Sequence, residues 1–263
     1  MPFQKPVICM VPGAWHSPEQ YAMLRDILHR EGYQTESIQL PSVGSTDPAN
    51  ESVTKDVQAI REKMLLPLID QGKEVVLLMH SYGGCPGGAA AKGLSKAVGE
   101  RGGIIGLIFL AAFLAREGDS LKSVRGEFDP WVITNDETLQ TTVRTPIETF
   151  YNDVSKSLAE ATMKTIQPHS QVALSSPSPP SAWPDEVYNG RRAYILAEDD
   201  QTIPHVAQKM MLEYSGVEWE TRTMKAGHCP FLSKPQETAE VIKELTSGFQ
   251  SRSDEAGHHL VRL

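Results

Sequence analysis

The 263-residue sequence has little cysteine, no long apolar run and no excess of positive charge, and each shortage closes off a class of protein. Its three cysteines are Cys9, Cys85 and Cys229. They form no CxxC pair and no Cys/His ligand spacing, and an odd, sparse count reads as reduced thiols, not as a disulfide framework. No apolar stretch approaches the roughly 20 residues that a membrane-crossing helix needs. The opening Met1-Pro2-Phe3-Gln4-Lys5-Pro6 lacks the charged and apolar regions of a secretory signal, so a cytoplasmic protein is expected. Set against 33 Asp and Glu, the 25 Lys and Arg leave a formal net charge of −8. A chain of that sign is a poor partner for nucleic acid or an anionic membrane surface, and neither is expected.

What is present is ordinary globular composition, 40% hydrophobic and 22% charged, in a length that suits one large domain with a small insertion. Residues 7–11 are a short apolar run closed by Pro12-Gly13, which reads as a buried strand. Ser17, Pro18 and Gln20 then spell a capping box with proline at the first helical position, and Gly32 closes that helix. Residues 34–40 read as a second strand. Over residues 52–71, Val53, Val57, Ile60, Met64 and Leu68 recur at three- and four-residue steps, one buried helix stripe that Pro67 should kink or shorten. Residues 74–79 and 104–111 are continuous apolar strands of the kind buried on both faces of a parallel sheet, with a Gly- and Ala-rich helix expected over 82–98.

The alternation of strand and helix predicts a doubly wound, mostly parallel sheet. It breaks over residues 113–187, where no clean strand is visible and 175–184 is rich in Pro and Ser. It resumes with a strand at 193–197, a helix at 203–214, a strand at 217–224 and a helix at 233–250 opened by a second capping box, Ser233 to Gln236. The expected division is a core of residues 1–112 and 188–250, an inserted cap of 113–187, and a polar, loosely held tail of 251–263.

Chemistry concentrates at the ends of the strands. Ser81 lies in Met79-His80-Ser81-Tyr82-Gly83-Gly84, between a predicted strand and a predicted helix, where a nucleophile elbow belongs. The turn lifts the hydroxyl above the sheet, and the N–H of Tyr82 is free to face an oxyanion. By itself such a serine would equally well cap the helix. The remainder of the chain supplies what a nucleophile needs, a base and an acid to orient it, in the chain order Ser, acid, His. His228 follows the last strand behind Gly227, and Glu198, Asp199 and Asp200 follow the strand before it. Spacing does not choose among the three acids. After the first strand, Gly13 lets the backbone approach a bound carbonyl, and the Ala14 N–H is the candidate second oxyanion donor. His16 either lines the pocket or caps the following helix.

Together Val11-Pro12-Gly13-Ala14-Trp15-His16, Met79 to Gly84, Tyr194 to Pro204 and Gly227-His228 resemble the α/β-hydrolase superfamily, and within it the plant methylesterase and hydroxynitrile-lyase family with related fungal and bacterial hydrolases. The resemblance runs from about Pro6 to Gln250. It implies an α/β-hydrolase fold with a mainly helical cap. It also selects Asp200, four residues before Pro204, as the acid, with Asp199 next. Two positions depart from that family: Pro12 stands where it usually has His, and Met79 where it usually has Gly. Its lyases carry Thr at the position of Gly13 and Lys at that of Cys229. The implied activity is hydrolysis of a small to medium apolar ester or lactone by Ser81, His228 and Asp200, with Ala14 and Tyr82 as oxyanion donors and Gly13, His16, Phe113, Trp131 and Trp183 as pocket residues. Leu114, Phe128, Phe150 and Tyr151 are further aromatic and apolar candidates. No metal or cofactor is implied, and the partner is the small-molecule ester itself, bound by a monomer or homodimer. A lyase or a cyclase/isomerase on the same scaffold, or a ligand-binding protein that does not hydrolyse, are the alternatives.

Overall fold

The apolar runs become strands buried on both faces. In chain order the strands are β1 (Val7–Val11), β2 (Thr35–Ser37), β3 (Glu74–His80), β4 (Gly103–Leu110), β5 (Val132–Asn135), β6 (Gln140–Val143), β7 (His169–Ser170), β8 (Arg192–Ala197) and β9 (Glu220–Met224). The computed structural model describes residues 5–97 and 99–260, with side chains to residue 254. Six strands form the central sheet in the order β2-β1-β3-β4-β8-β9, and every pairing within it is parallel. After β1 the chain moves outward to β2 and then returns to the other side with β3. That reversal opens a crevice beyond the carboxyl ends of β1 and β3, the place where such sheets bind ligands. The loops carrying Gly13, Ser81, Asp200 and His228 all leave the sheet at that end.

The helices follow the sequence reading with instructive exceptions. Ser17 forms its capping box with Gln20. The helix expected over 52–71 runs from Val53–Ile60 through a π turn at Arg61–Leu65 into Leu66–Asp70. Pro67 lacks an N–H and crowds the carbonyl four residues back, and the wider turn absorbs both without ending the helix. The helix after Ser81 is shorter than expected: a 3-10 turn at Ser81–Gly83, then Gly84–Ala90. The second capping box does not form. The Ser233 hydroxyl has no partner among the described residues, and Lys234 precedes the last helix, Pro235–Leu260. That helix continues ten residues past Gln250, so the expected polar tail is helical as far as Leu260, and residues 261–263 lie outside the described residues. Among the described residues no helix is long and apolar enough to cross a membrane.

The insertion holds strands that the sequence reading missed. Strands β5, β6 and β7 form a three-stranded sheet with antiparallel pairing, beside short helices at Leu121–Arg125, Pro146–Phe150, Lys156–Thr162 and Gln171–Ser175. The cap is mainly helical, as expected, with this small sheet added to it. Four-residue strands such as Val-Ile-Thr-Asn and Gln-Thr-Thr-Val are too short for alternation to stand out.

Candidate active site

Ser81 sits at φ 54°, a left-handed conformation that costs a non-glycine residue about 1–3 kcal/mol and persists only where its surroundings enforce it. Here β3 leads straight into the helix at that residue. A Cβ at Gly83 would lie 2.5 Å from the Val11 carbonyl oxygen, so the helix passes against β1 and the second small position of the elbow is obligatory. The first is occupied by Met79, fully buried and in register with Val11 on β1 and Phe109 on β4. The missing space is supplied from the helix. A Cβ on Gly87 would meet Met79 Cγ at 2.6 Å and Sδ at 2.9 Å, so the methionine lies over the bare Gly87 backbone.

The carboxylate facing His228 is Asp200. Its Oδ2 accepts the His228 Nδ1–H at 2.8 Å, with both side chains buried. Its Oδ1 accepts the N–H groups of Thr202 at 2.7 Å and Ile203 at 2.9 Å, and Gln208 Nε2 reaches Oδ2 at 3.3 Å. Glu198 and Asp199 are exposed. With Nδ1 committed to Asp200, the Nε2 of neutral His228 carries the lone pair. No hydrogen bond joins the Ser81 hydroxyl to His228 among the described residues. A serine and a histidine that act together need not be hydrogen-bonded before substrate arrives.

A buried layer beneath ties these loops together. Burial, helped by the neighbouring His228 and His16, holds the His80 pKa well below the usual histidine value, so the ring is neutral. Its Nε2–H donates to the His228 carbonyl at 2.9 Å, which leaves Nδ1 to accept the Tyr21 hydroxyl, also at 2.9 Å. His16 is likewise neutral, lowered by burial to about 4. Its Nδ1–H donates to the Ala14 carbonyl at 2.7 Å, and its Nε2 accepts the Tyr151 hydroxyl at 2.9 Å. That bond turns the Ala14 carbonyl inward, and the Ala14 N–H has no acceptor among the described residues. Tyr82 N–H belongs to the first turn of a helix, where amides lack intrahelical partners. The Tyr82 hydroxyl donates at 2.7 Å to Asp56, which also accepts the Ser42 N–H at 3.0 Å and hydroxyl at 2.6 Å. Burial raises Asp56 to about 6 against the opposing effect of those hydrogen bonds.

The cavity over Ser81 is lined by Ala14, Tyr82, Phe113, Trp131 and Thr202 among others. Its volume is only ≈ 20 Å³, roughly the room one water requires. Three residues expected at the pocket do not line this cavity. His16 lies beneath the site and orients Ala14. Gly13 backs Ser81, since a Cβ there would be 2.9 Å from Ser81 Cβ. Trp183 lines a separate, larger groove nearby. The sequence reading missed His80, Tyr21, Asp56 and Gln208. Only Asp56 announced itself, as an acid on the buried stripe between Val53 and Ile60.

Residues 10–241 match the alpha/beta hydrolase family, and the chain belongs to it. It is 28% identical over 249 residues to an alpha/beta hydrolase, nvfD, of Aspergillus novofumigatus, covering 91% of this chain and 96% of that one. It is 24% identical over 260 residues to norfluorocurarine synthase 2 of a Strychnos species, covering 90% and 94%. Among solved structures it superposes on a pyrethroid hydrolase of Sphingobium faniae JZ-2 with a TM-score of 0.73 at 20% identity, covering 92% of this chain and 97% of that one. Polyneuridine aldehyde esterase gives 0.73 at 19% identity over 92% and 100%.

Proposed function

We propose that the chain is a serine carboxylesterase or lactonase acting on a small to medium apolar ester through an acyl-enzyme. The observation that carries this reading is the buried Asp200–His228 hydrogen bond at 2.8 Å beside a serine held at φ 54°. His228 Nε2 takes the Ser81 proton as the oxygen attacks the ester carbonyl. The oxyanion of the tetrahedral intermediate accepts the Ala14 and Tyr82 N–H groups, and Asp200 stabilises the imidazolium. Collapse breaks the bond to the alcohol oxygen, which leaves with the proton from His228. Water then repeats the sequence on the acyl-enzyme, giving the acid and free Ser81. The esterase names among the relatives and structural neighbours support ester chemistry, and three free, buried cysteines fit a cytoplasmic enzyme.

A second reading, a lyase or cyclase of a biosynthetic pathway, is favoured by one observation, the relative named as a synthase. The surroundings of His228 weigh against cyanohydrin cleavage. Burial pushes the Cys229 thiol well above its ordinary range, so it stays neutral, and Asp153 accepts the Gly227 N–H at 2.8 Å. Neither the neutral thiol nor Asp153 supplies a positive charge to stabilise a departing cyanide. Hydrolysis of aryl acetates is expected, lost on the order of 10⁴-fold or more in Ser81→Ala, with no cyanide released from mandelonitrile above background. Cyanide release that depends on both Ser81 and His228 would replace this reading with the lyase.

A further inference from the structure

The cavity over Ser81 is small, at ≈ 20 Å³, and a groove of ≈ 600 Å³ lies against it. Phe113, Arg125 and Asp129 line both, so the two are separated by one shared wall, and the polar part of that wall is the Arg125–Asp129 ion pair. The outer groove runs between the cap and the helix His205–Ser215, with Leu114, Trp183, Ala207, Met210, Met211 and Tyr214 on its walls. Val124, Met210 and Tyr214 there are 40%, 45% and 67% exposed. Large apolar side chains gathered in water around a concavity mark a surface built to be covered.

We infer that this groove is the second half of the substrate site, and that the substrate is an elongated, neutral ester whose apolar body lies in the groove while its carbonyl reaches Ser81 past a displaced Arg125–Asp129 pair. The inference rests on the esterase reading and adds the size and charge of the substrate. Continuity through three shared residues says what covers the groove. Its charged lining balances, Arg116 and Arg125 against Asp119 and Asp129. The Arg116 side chain is occupied by the Tyr214 carbonyl, and Asp119 accepts the Arg116 N–H at 3.0 Å. No net charge is left to select an ionic ligand, whereas the apolar walls reward an alkyl or aryl body. The ion pair is partly exposed and on a short helix end, so opening it forfeits little energy.

The test compares kcat/KM for long and short esters in two series: p-nitrophenyl decanoate against the acetate, and decyl against ethyl acetate. In each series the long-to-short ratio is measured for the parent enzyme and for Ala207→Trp and Met210→Trp, which fill the groove. Met210 is exposed, so its replacement leaves the core untouched, and thermal melts check both variants. The ratio is expected to fall about tenfold or more in one series, which identifies the half of the ester that occupies the groove. A ratio that stays within about twofold in both series for both folded variants overturns the inference while Ser81-dependent turnover of the short esters leaves the esterase reading intact. Short-ester turnover that survives Ser81→Ala overturns both.

Discussion

Met79 and Gly87 should behave as one unit, and a double-mutant cycle measures it. Gly87 lies in a helix interior, where alanine is favoured over glycine by about 1 kcal/mol. Its added Cβ would nevertheless sit 2.6 Å from Met79 Cγ, 2.9 Å from Sδ and 3.4 Å from Val11 Cγ2. Met79 is fully buried between neighbouring strands and has little room to retreat, so overpacking costs about 1–3 kcal/mol. Gly87→Ala is expected to be neutral to destabilising by about 2 kcal/mol, the difference of those terms. Met79→Ala removes a buried side chain and should cost about 2–5 kcal/mol. In that background both Met79 contacts are gone, Val11 Cγ2 at 3.4 Å alone remains, and Gly87→Ala should stabilise by about 1 kcal/mol. The coupling is therefore about 1–3 kcal/mol in favour of the double variant. Urea denaturation of the four proteins gives the cycle, with thermal melts as a second measure. Additivity within about 0.5 kcal/mol would refute the idea that Gly87 accommodates the methionine.

Asp200→Asn should lower ester turnover by roughly 10⁴-fold, because the amide favours the wrong imidazole tautomer, while Asp199→Asn should change it little; steady-state rates with an aryl acetate compare them, and the reverse ranking would move the acid to Asp199. For Asp56 the folded pKa of about 6 lies above the ordinary 3.8, so the folded state prefers the proton and loses stability as pH rises from about 4 to 6, the loss being complete above 6. The difference is on the order of 3 kcal/mol before relaxation. Urea denaturation at pH 4 and pH 7 should show Asp56→Asn gaining on the parent protein at the higher pH, and an equal gap at both values would contradict the assignment.

Much of the candidate site was legible because its polar residues sit where regular structure stops. Ser81 follows a continuous apolar strand and precedes a Gly-rich helix, and His228 follows the final strand. Local pattern says little about which of three adjacent acids turns inward. Asp200 does so because its Oδ1 meets the Thr202 and Ile203 amides and its Oδ2 meets Gln208, a residue on the next helix. His80 and Tyr21 were illegible for a related reason: His80 ends an apolar strand, Tyr21 ends the short turn Pro18–Tyr21, and each finds its partner 59 residues away. The cap strands were missed because they are two to four residues long and owe their order to pairing with each other and with the core. The Ser233 box fits the sequence signature, but Ser233 is the last residue of the preceding helical turn, Pro230–Ser233, and so does not sit at the N-cap of the last helix.

The central claim is that Ser81 is an activated nucleophile. Intact-mass measurement after treatment with a fluorophosphonate, followed by peptide mapping, tests it without knowledge of the natural ester. One phosphonyl adduct is expected, located on Ser81, absent from Ser81→Ala and formed far more slowly in His228→Ala. A folded protein whose Ser81 stays unmodified, or one labelled equally well without His228, would contradict the account.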